Sequence, residues 1–513
     1  MERKIFFPIF CFIIFFPFFS SAAAQTVLPI IEQQYHEQIN QLWNQKKAQY
    51  GVMLKKSGED PTILYNIQAE TNNLLKYAGY CQKYALIDEL SSLYLKALDT
   101  LTITDQYLYA YYPSSPKLSA HRLDKKYRMW VDSQKPIGQE IILESSQFLY
   151  VLSDLVSIIT DISENKRTPA MKNAINKFIP LLIEHYNRWI FNTPGPFQVR
   201  GWGCRYNGQH VSTTMNHQDF LERKLERKLG NGKSPSYCNA VQDTDMWILA
   251  GVANILTVYK KQQSLVLITR EEYRKFLNYL KTGVKLLESR FSYTSLKNFH
   301  GSPVAGALLG AGEWDELITY EYAGYNGQEF PISQKKCRGN AVGWDLSHAR
   351  RFVHVLDTLL KSRDILGLNF PTNDLMAKMA NQLVYGAFNR DFKKPLFTNF
   401  MDGTNGWYRV SYAGKAGFGY GPWDMSISVL TGGYGFWSRY NTDMQKVLIA
   451  LNDVLKSNDP EIRKHVIRHY ETTDWNKNRR THRHDFKRLD DSRTQSVLIQ
   501  FLPSLYFIKK SNP

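Results

Sequence analysis

The densest set of reactive side chains lies in the stretch Gly339-Asn340-Ala341-Val342-Gly343-Trp344-Asp345-Leu346-Ser347-His348-Ala349-Arg350-Arg351. Asp345, His348 and Arg351 fall at i, i+3 and i+6 where an amphipathic helical pattern begins. Residues three apart on a helix are neighbours, so Asp345 can fix the imidazole tautomer of His348 while Arg351 grips a carboxylate with two parallel donors. A helix start also favours bound anions. A proton acceptor, its orienting carboxylate and a cation suit the removal of a proton next to an acidic group. The plainer reading is that Asp345 caps the helix and the other two make surface ion pairs.

A second set is Thr213-Thr214-Met215-Asn216-His217-Gln218-Asp219-Phe220. Here an amide can help neutralise a uronate carboxylate while neutral imidazole takes the adjacent proton. With an aromatic nearby, Asn216, His217 and Phe220 resemble the Asn-His motif of the helical-barrel alginate lyases; Met215, Gln218 and Asp219 differ from it. The resemblance implies an all-helical barrel and makes Asn216 and His217 site residues. Without it, Asn216 is a helix cap and His217 a surface residue.

Loop carboxylates offer a different chemistry. Asp243 and Asp245 precede Met246-Trp247, Glu313 and Asp315 flank Trp314, and Asp402 lies in a Gly-rich stretch. Glycoside hydrolysis needs two carboxyl groups about 5–5.5 Å or 6.5–9.5 Å apart. Asp243 or Asp245 paired with Glu313 or Asp402 are the combinations to test. Tyr and Trp add flat apolar faces with a polar edge, which suits stacking on sugar rings. Trp202, Trp314, Trp344, Trp407, Tyr408 and Trp423 are the expected substrate-binding set, and Tyr322 or Tyr325 the expected proton donors. Phosphate-loop, dinucleotide-fold, HExxH, EF-hand and nucleophile-elbow patterns are missing from the sequence, so no cofactor or metal is expected.

Helices must position these groups. Apolar residues recur at helical spacing in 30–50, 62–83, 84–101, 138–164, 169–192, 242–262, 270–290, 341–363, 372–388, 443–456 and 461–471. Asp60-Pro61, Thr168-Pro169 and Asp459-Pro460 mark helix starts. Strand signals are confined to short runs such as 197–200 and 407–412. The helices come in pairs separated by long aromatic loops at 193–240, 291–340 and 391–424. Such loops are usually functional. No repeat of the roughly 34–47-residue kind seen in solenoids is visible. The expected fold is therefore all-α, a toroid of helical hairpins with its loops gathered at one mouth. In this the chain resembles the α/α-toroid group of secreted glycan-active enzymes, polysaccharide lyases and glycosidases among them. Residues 25–513 read as one domain, with 103–136 an extended loop and 472–513 a basic C-terminal segment.

Across 513 residues, 64 Lys and Arg face 47 Asp and Glu, a formal charge of +17, and aromatics reach 14%, which excludes disorder. Arg3 and Lys4, an apolar run from Ile5 to Phe19 and then Ala22-Ala23-Ala24 form a secretory signal pattern, with cleavage expected after Ala24. Of the remaining cysteines, Cys81, Cys204, Cys238 and Cys337, the pair in the loop-rich stretch, Cys204 and Cys238, is the expected disulfide. Outside the cytoplasm a basic protein meets acidic polysaccharides rather than nucleic acid. The expectation is a secreted or periplasmic enzyme cleaving an acidic polysaccharide by β-elimination. Arg351 and Asn216 would neutralise the carboxylate, and His348 or His217 would take the proton. A glycoside hydrolase and a non-catalytic glycan- or envelope-binding protein are the competing expectations.

Overall fold

The structure, a computed structural model, describes residues 30–109, 120–132, 139–192, 204–211, 215–230, 236–327, 336–410, 419–473 and 487–508. The signal pattern at 1–24, Trp202 and most of the basic C-terminal run lie outside the described residues.

Helix dominates, as the periodicity requires. The helices are α1 (Ile30–Leu54), α2 (Thr62–Tyr80), α3 (Tyr84–Leu95), α4 (Ile142–Thr160), α5 (Pro169–Phe191), α6 (His217–Leu225) and α7 (Asp243–Lys261). They continue with α8 (Arg270–Glu288), α9 (Leu346–Leu366), α10 (Asn373–Asn381), α11 (Ile427–Thr431), α12 (Thr442–Lys456), α13 (Pro460–Tyr470) and α14 (Asp491–Ser504). Several start where a short polar side chain meets the open backbone donors of a first turn. Thr168 caps α5 ahead of Pro169, Asp459 caps α13 ahead of Pro460, and Thr269 and Glu272 form a reciprocal capping box on α8. Gly367, with φ +64°, ends α9 in the left-handed conformation that costs glycine least.

The apolar stripes pack in a definite succession. α14 lies against α2, α2 against α4, α4 against α7 and α7 against α9, while α11 touches both α9 and α14. A second set covers these: α1 on α2 and α14, α3 on α2 and α5, α5 on α4 and α7, and α8 on α7. The α4 helix is long and apolar enough to cross a membrane, yet most of its surface is buried among these neighbours.

Strands are more developed than the sequence suggested. Residues 103–136, expected as an extended loop, contain a twisted hairpin. Its strands β1 (Thr102–Tyr109) and β2 (Ala120–Met129) join β3 (Val131–Asp132) and β4 (Gln139–Glu140) in a sheet of order β2-β1-β4-β3. Buried Glu140 on β4 anchors this sheet to α5 through two 2.7 Å bonds from Arg188. Further on come β5 (Arg205–Tyr206) and β6 (Gln209–His210), then β7 (Phe291–Lys297) paired along its full length with β8 (Pro303–Leu309). This last hairpin occupies the start of the expected 291–340 loop. Helix boundaries also move: the pattern read as 138–164 begins only at Ile142, after β4, and the one read as 84–101 ends at Leu95. The pattern read as 341–363 begins at Leu346 because Asp345 caps it, and the one read as 372–388 passes into a π-helical turn at Gln382–Ala387.

Candidate functional site

First turns of three helices deliver the principal cluster. Asp345, fully buried, accepts from the backbone N–H groups of Ser347 (3.1 Å) and His348 (3.2 Å) and so starts α9. Its carboxylate also meets Nδ1 of His348 at 2.9 Å, the Ser347 hydroxyl at 2.5 Å and the Tyr320 hydroxyl at 3.3 Å. Burial alone would raise this carboxyl, but His348, Ser347 and Arg409 hold it well below the usual carboxylate range. Asp345 is therefore ionised and fixes the proton of His348 on Nδ1.

His348 keeps 13% of its side chain exposed, so solvent or a ligand reaches it. Burial lowers its basicity, and Arg351 and Arg409 push the same way against the pull of Asp345. The imidazole is neutral near pH 7. Its Nε2 faces Nη2 of Arg409 at 3.2 Å, and the Tyr408 hydroxyl stands 3.5 Å from Nδ1. Arg409 adopts φ +61°, a left-handed conformation unfavourable for a side chain of this size, while its N–H donates to the Thr319 carbonyl.

Arg351, one turn further along α9, is also buried. Nη1 donates to the Ser347 carbonyl (2.8 Å), and Nη2 lies 3.1 Å from both the Tyr65 hydroxyl on α2 and the Asp243 carboxylate at the start of α7. Arg350 also donates to Tyr65, at 3.1 Å. One polar chain thus runs from Asp243 through Arg351 and Tyr65, by way of Ser347, to Asp345, His348 and Arg409. Three guanidiniums and two carboxylates leave it with surplus positive charge, suited to an anion.

Of the expected residues, the structure brings together Asp345, His348, Arg351, Asp243 and Tyr408. Others sit elsewhere. Asn216 caps α6 by accepting from Asp219 N–H at 2.8 Å. His217 and Asp245, expected as catalytic, are sealed in the core at 1% and 0% exposure. There Nε2 of His217 meets Asp245 at 3.0 Å, Nδ1 meets the Tyr279 hydroxyl at 2.7 Å, and Asp245 also pairs with buried Lys224 and accepts from Gln242 N–H. Glu313 is held by Arg290 and Arg227, each at 2.8 Å. Asp402 accepts from the N–H (3.0 Å) and hydroxyl (2.6 Å) of Thr404, the bonds of a turn. Tyr322 and Tyr325 are buried in an apolar cluster with Trp407 and Val410.

Most of the expected sugar platforms are likewise turned inward. Trp314, Trp344, Trp407 and Tyr408 are each no more than 6% exposed. Trp314 meets Trp344 edge to face at 5.6 Å, and Trp344 meets Phe352 at 5.0 Å. Burying such rings anchors long loops on the core, because each removes a large apolar area from water. Trp423 alone of the described platforms is half-buried.

Tyr65, Arg350 and Arg409 were not foreseen. Tyr65 reads as one more aromatic on an apolar stripe, and Arg409 is hidden in an aromatic run. Arg350 stands beside the expected Arg351, so adjacency was the available signal. The expected Cys204–Cys238 disulfide is present and encloses α6. No family model, curated protein or solved structure matches this chain.

Proposed function

We propose that the chain is an exported enzyme that cleaves an acidic polysaccharide by β-elimination, on an α/α toroid. The toroid is supported by the packing succession α2, α4, α7, α9, α11, α14, which returns to α2. Export is supported by the N-terminal signal pattern and by a disulfide, which persists in oxidising compartments.

The observation that carries the activity is the neutral, partly exposed His348, oriented by buried Asp345 and facing Arg409. A lyase must neutralise a uronate carboxylate, remove the proton at C5 and expel the oxygen at C4. Arg409 now occupies Nε2 of His348. A substrate carboxylate that draws this guanidinium onto itself frees Nε2 to accept the C5 proton, so binding the acidic group arms the base. Asp345 stabilises the resulting imidazolium. Arg351 is engaged by Asp243, Tyr65 and Ser347, and Arg350 by Tyr65, which makes Arg409 the better candidate for holding the carboxylate.

The hydrolase alternative draws less support, because Asp245 and Glu313 are tied in ion pairs and Asp402 in a turn. A panel of uronic-acid polymers distinguishes the readings. Elimination leaves an unsaturated uronate that absorbs in the ultraviolet, whereas hydrolysis gives new reducing ends without that absorbance. Binding without either product supports the non-catalytic alternative. Absence of absorbing product across the panel and across pH overturns the proposal.

A further inference from the structure

We infer that Tyr65 is the proton donor to the departing oxygen, made competent by the two arginines that grip it. This inference rests on the β-elimination reading. Nη2 of Arg350 and Nη2 of Arg351 each lie 3.1 Å from the Tyr65 oxygen, and the two guanidiniums stand 5.7 and 6.0 Å from its ring centre. Two tyrosines elsewhere spend their hydroxyl proton on an acceptor. Tyr80 donates to Asp357 at 2.7 Å, and Tyr434 donates to the Leu346 carbonyl at 2.6 Å. Tyr65 has the opposite surroundings: two cationic donors point at one phenol oxygen. Such donors stabilise the oxyanion that remains after the proton has gone.

The charged groups facing Tyr65 are Arg350 and Arg351 from α9 and Asp243 from α7. Burial pushes the phenol up and Asp243 adds to that, but the two arginines prevail and bring it down to about 8. Such a phenol is still protonated at neutral pH, yet gives up its proton far more readily than an ordinary tyrosine. It is on the same polar chain as His348, linked through Arg351 and Ser347.

His348 Nε2 takes the C5 proton, and the electron pair left behind forms the C4–C5 double bond. The C4–O bond breaks with its electrons going to oxygen, which receives the Tyr65 proton. The phenolate is held by Arg350 and Arg351 until a water relays the proton from imidazolium back to it. No electrons are gained or lost overall, and no co-reactant is needed. Tyr322 and Tyr325, the tyrosines expected for this role, are packed among Trp407 and Val410 instead.

The test combines kinetics with titration, on a uronate polymer that wild type converts to unsaturated product. Wild-type turnover should fall above about pH 8 as Tyr65 ionises. Tyr65→Phe should lower kcat by roughly 10²–10⁴-fold with KM changed only a few-fold. It should also remove one tyrosinate transition near pH 8 from the near-ultraviolet titration. Arg350→Gln keeps the phenol and should move both the alkaline limb and that transition upward, toward the ordinary tyrosine value of 10.0. Should Tyr65→Phe fail to fold, the Arg350→Gln limb decides: an unmoved limb overturns the role. Wild-type kcat in Tyr65→Phe overturns it while leaving β-elimination standing. A wild type that yields no unsaturated product overturns β-elimination and this role with it.

Discussion

Two histidine–carboxylate pairs among the described residues have opposite surroundings. His348 and Asp345 sit where three helix starts converge, with 13% of the His348 side chain exposed and Arg409 3.2 Å from its Nε2. His217 and Asp245 are sealed between α6, α7 and α8, and Asp245 is shared with Lys224 and a backbone donor. Distances within the pairs are nearly the same, 2.9 and 3.0 Å. What separates them is therefore access and the neighbouring charge. In the first pair the carboxylate orients an imidazole that can still exchange a proton. In the second it neutralises a buried ammonium and ties three helices together.

The contrast can be broken most sharply at His348. His348→Ala should lower turnover by about 10²–10⁴-fold with little change in melting temperature. The acid limb of wild-type turnover should have its midpoint below the ordinary imidazole value of 6.5, because burial depresses the imidazole and the base must be neutral. The same depression makes folding stability fall as pH drops below 6.5, since the unfolded chain then binds the proton more readily. An acid limb above 6.5 in a steady-state profile would contradict this. On the other side, Asp245→Ala strands the Lys224 ammonium in the core and should cost about 3–5 kcal/mol of stability. Denaturant unfolding measures that loss, while turnover per folded molecule should stay near wild type.

Smaller changes sharpen the comparison. Cys204→Ser opens the 34-residue span around α6 and should cost about 4 kcal/mol by chain-entropy reasoning, again without a catalytic signature. Asn216→Ala removes the α6 cap and should cost roughly 1 kcal/mol. If Asn216→Ala instead abolished turnover at unchanged stability, the division between a reactive and a structural pair would fail.

The helices were largely legible because each buries one stripe against a neighbour, which imposes a 3.6-residue period on the sequence. Hairpins were harder. β7 reads Phe-Ser-Tyr-Thr-Ser-Leu-Lys, an alternation weakened by its two serines, and its pairing with β8 is fixed by residues beyond any local window. In the site, Asp345, His348 and Arg351 were legible because one helix carries them. Tyr65 and Asp243 belong to distant segments that only packing brings alongside, and no spacing rule relates them. Aromatic richness of the loops misled in a physical sense. The same amphipathic rings that stack on sugars also anchor a loop to a core, and here Trp314, Trp344 and Trp407 do the latter.

Asp345 begins a helix and sets a tautomer with the same two oxygens. In related chains that had lost turnover, selection for folding alone would keep a capping residue at position 345, whereas position 348 would be released to drift. Retention of both together, with a carboxylate and not merely an amide or hydroxyl at 345, is thus the evolutionary trace by which working descendants could be told from scaffolds that only remain folded.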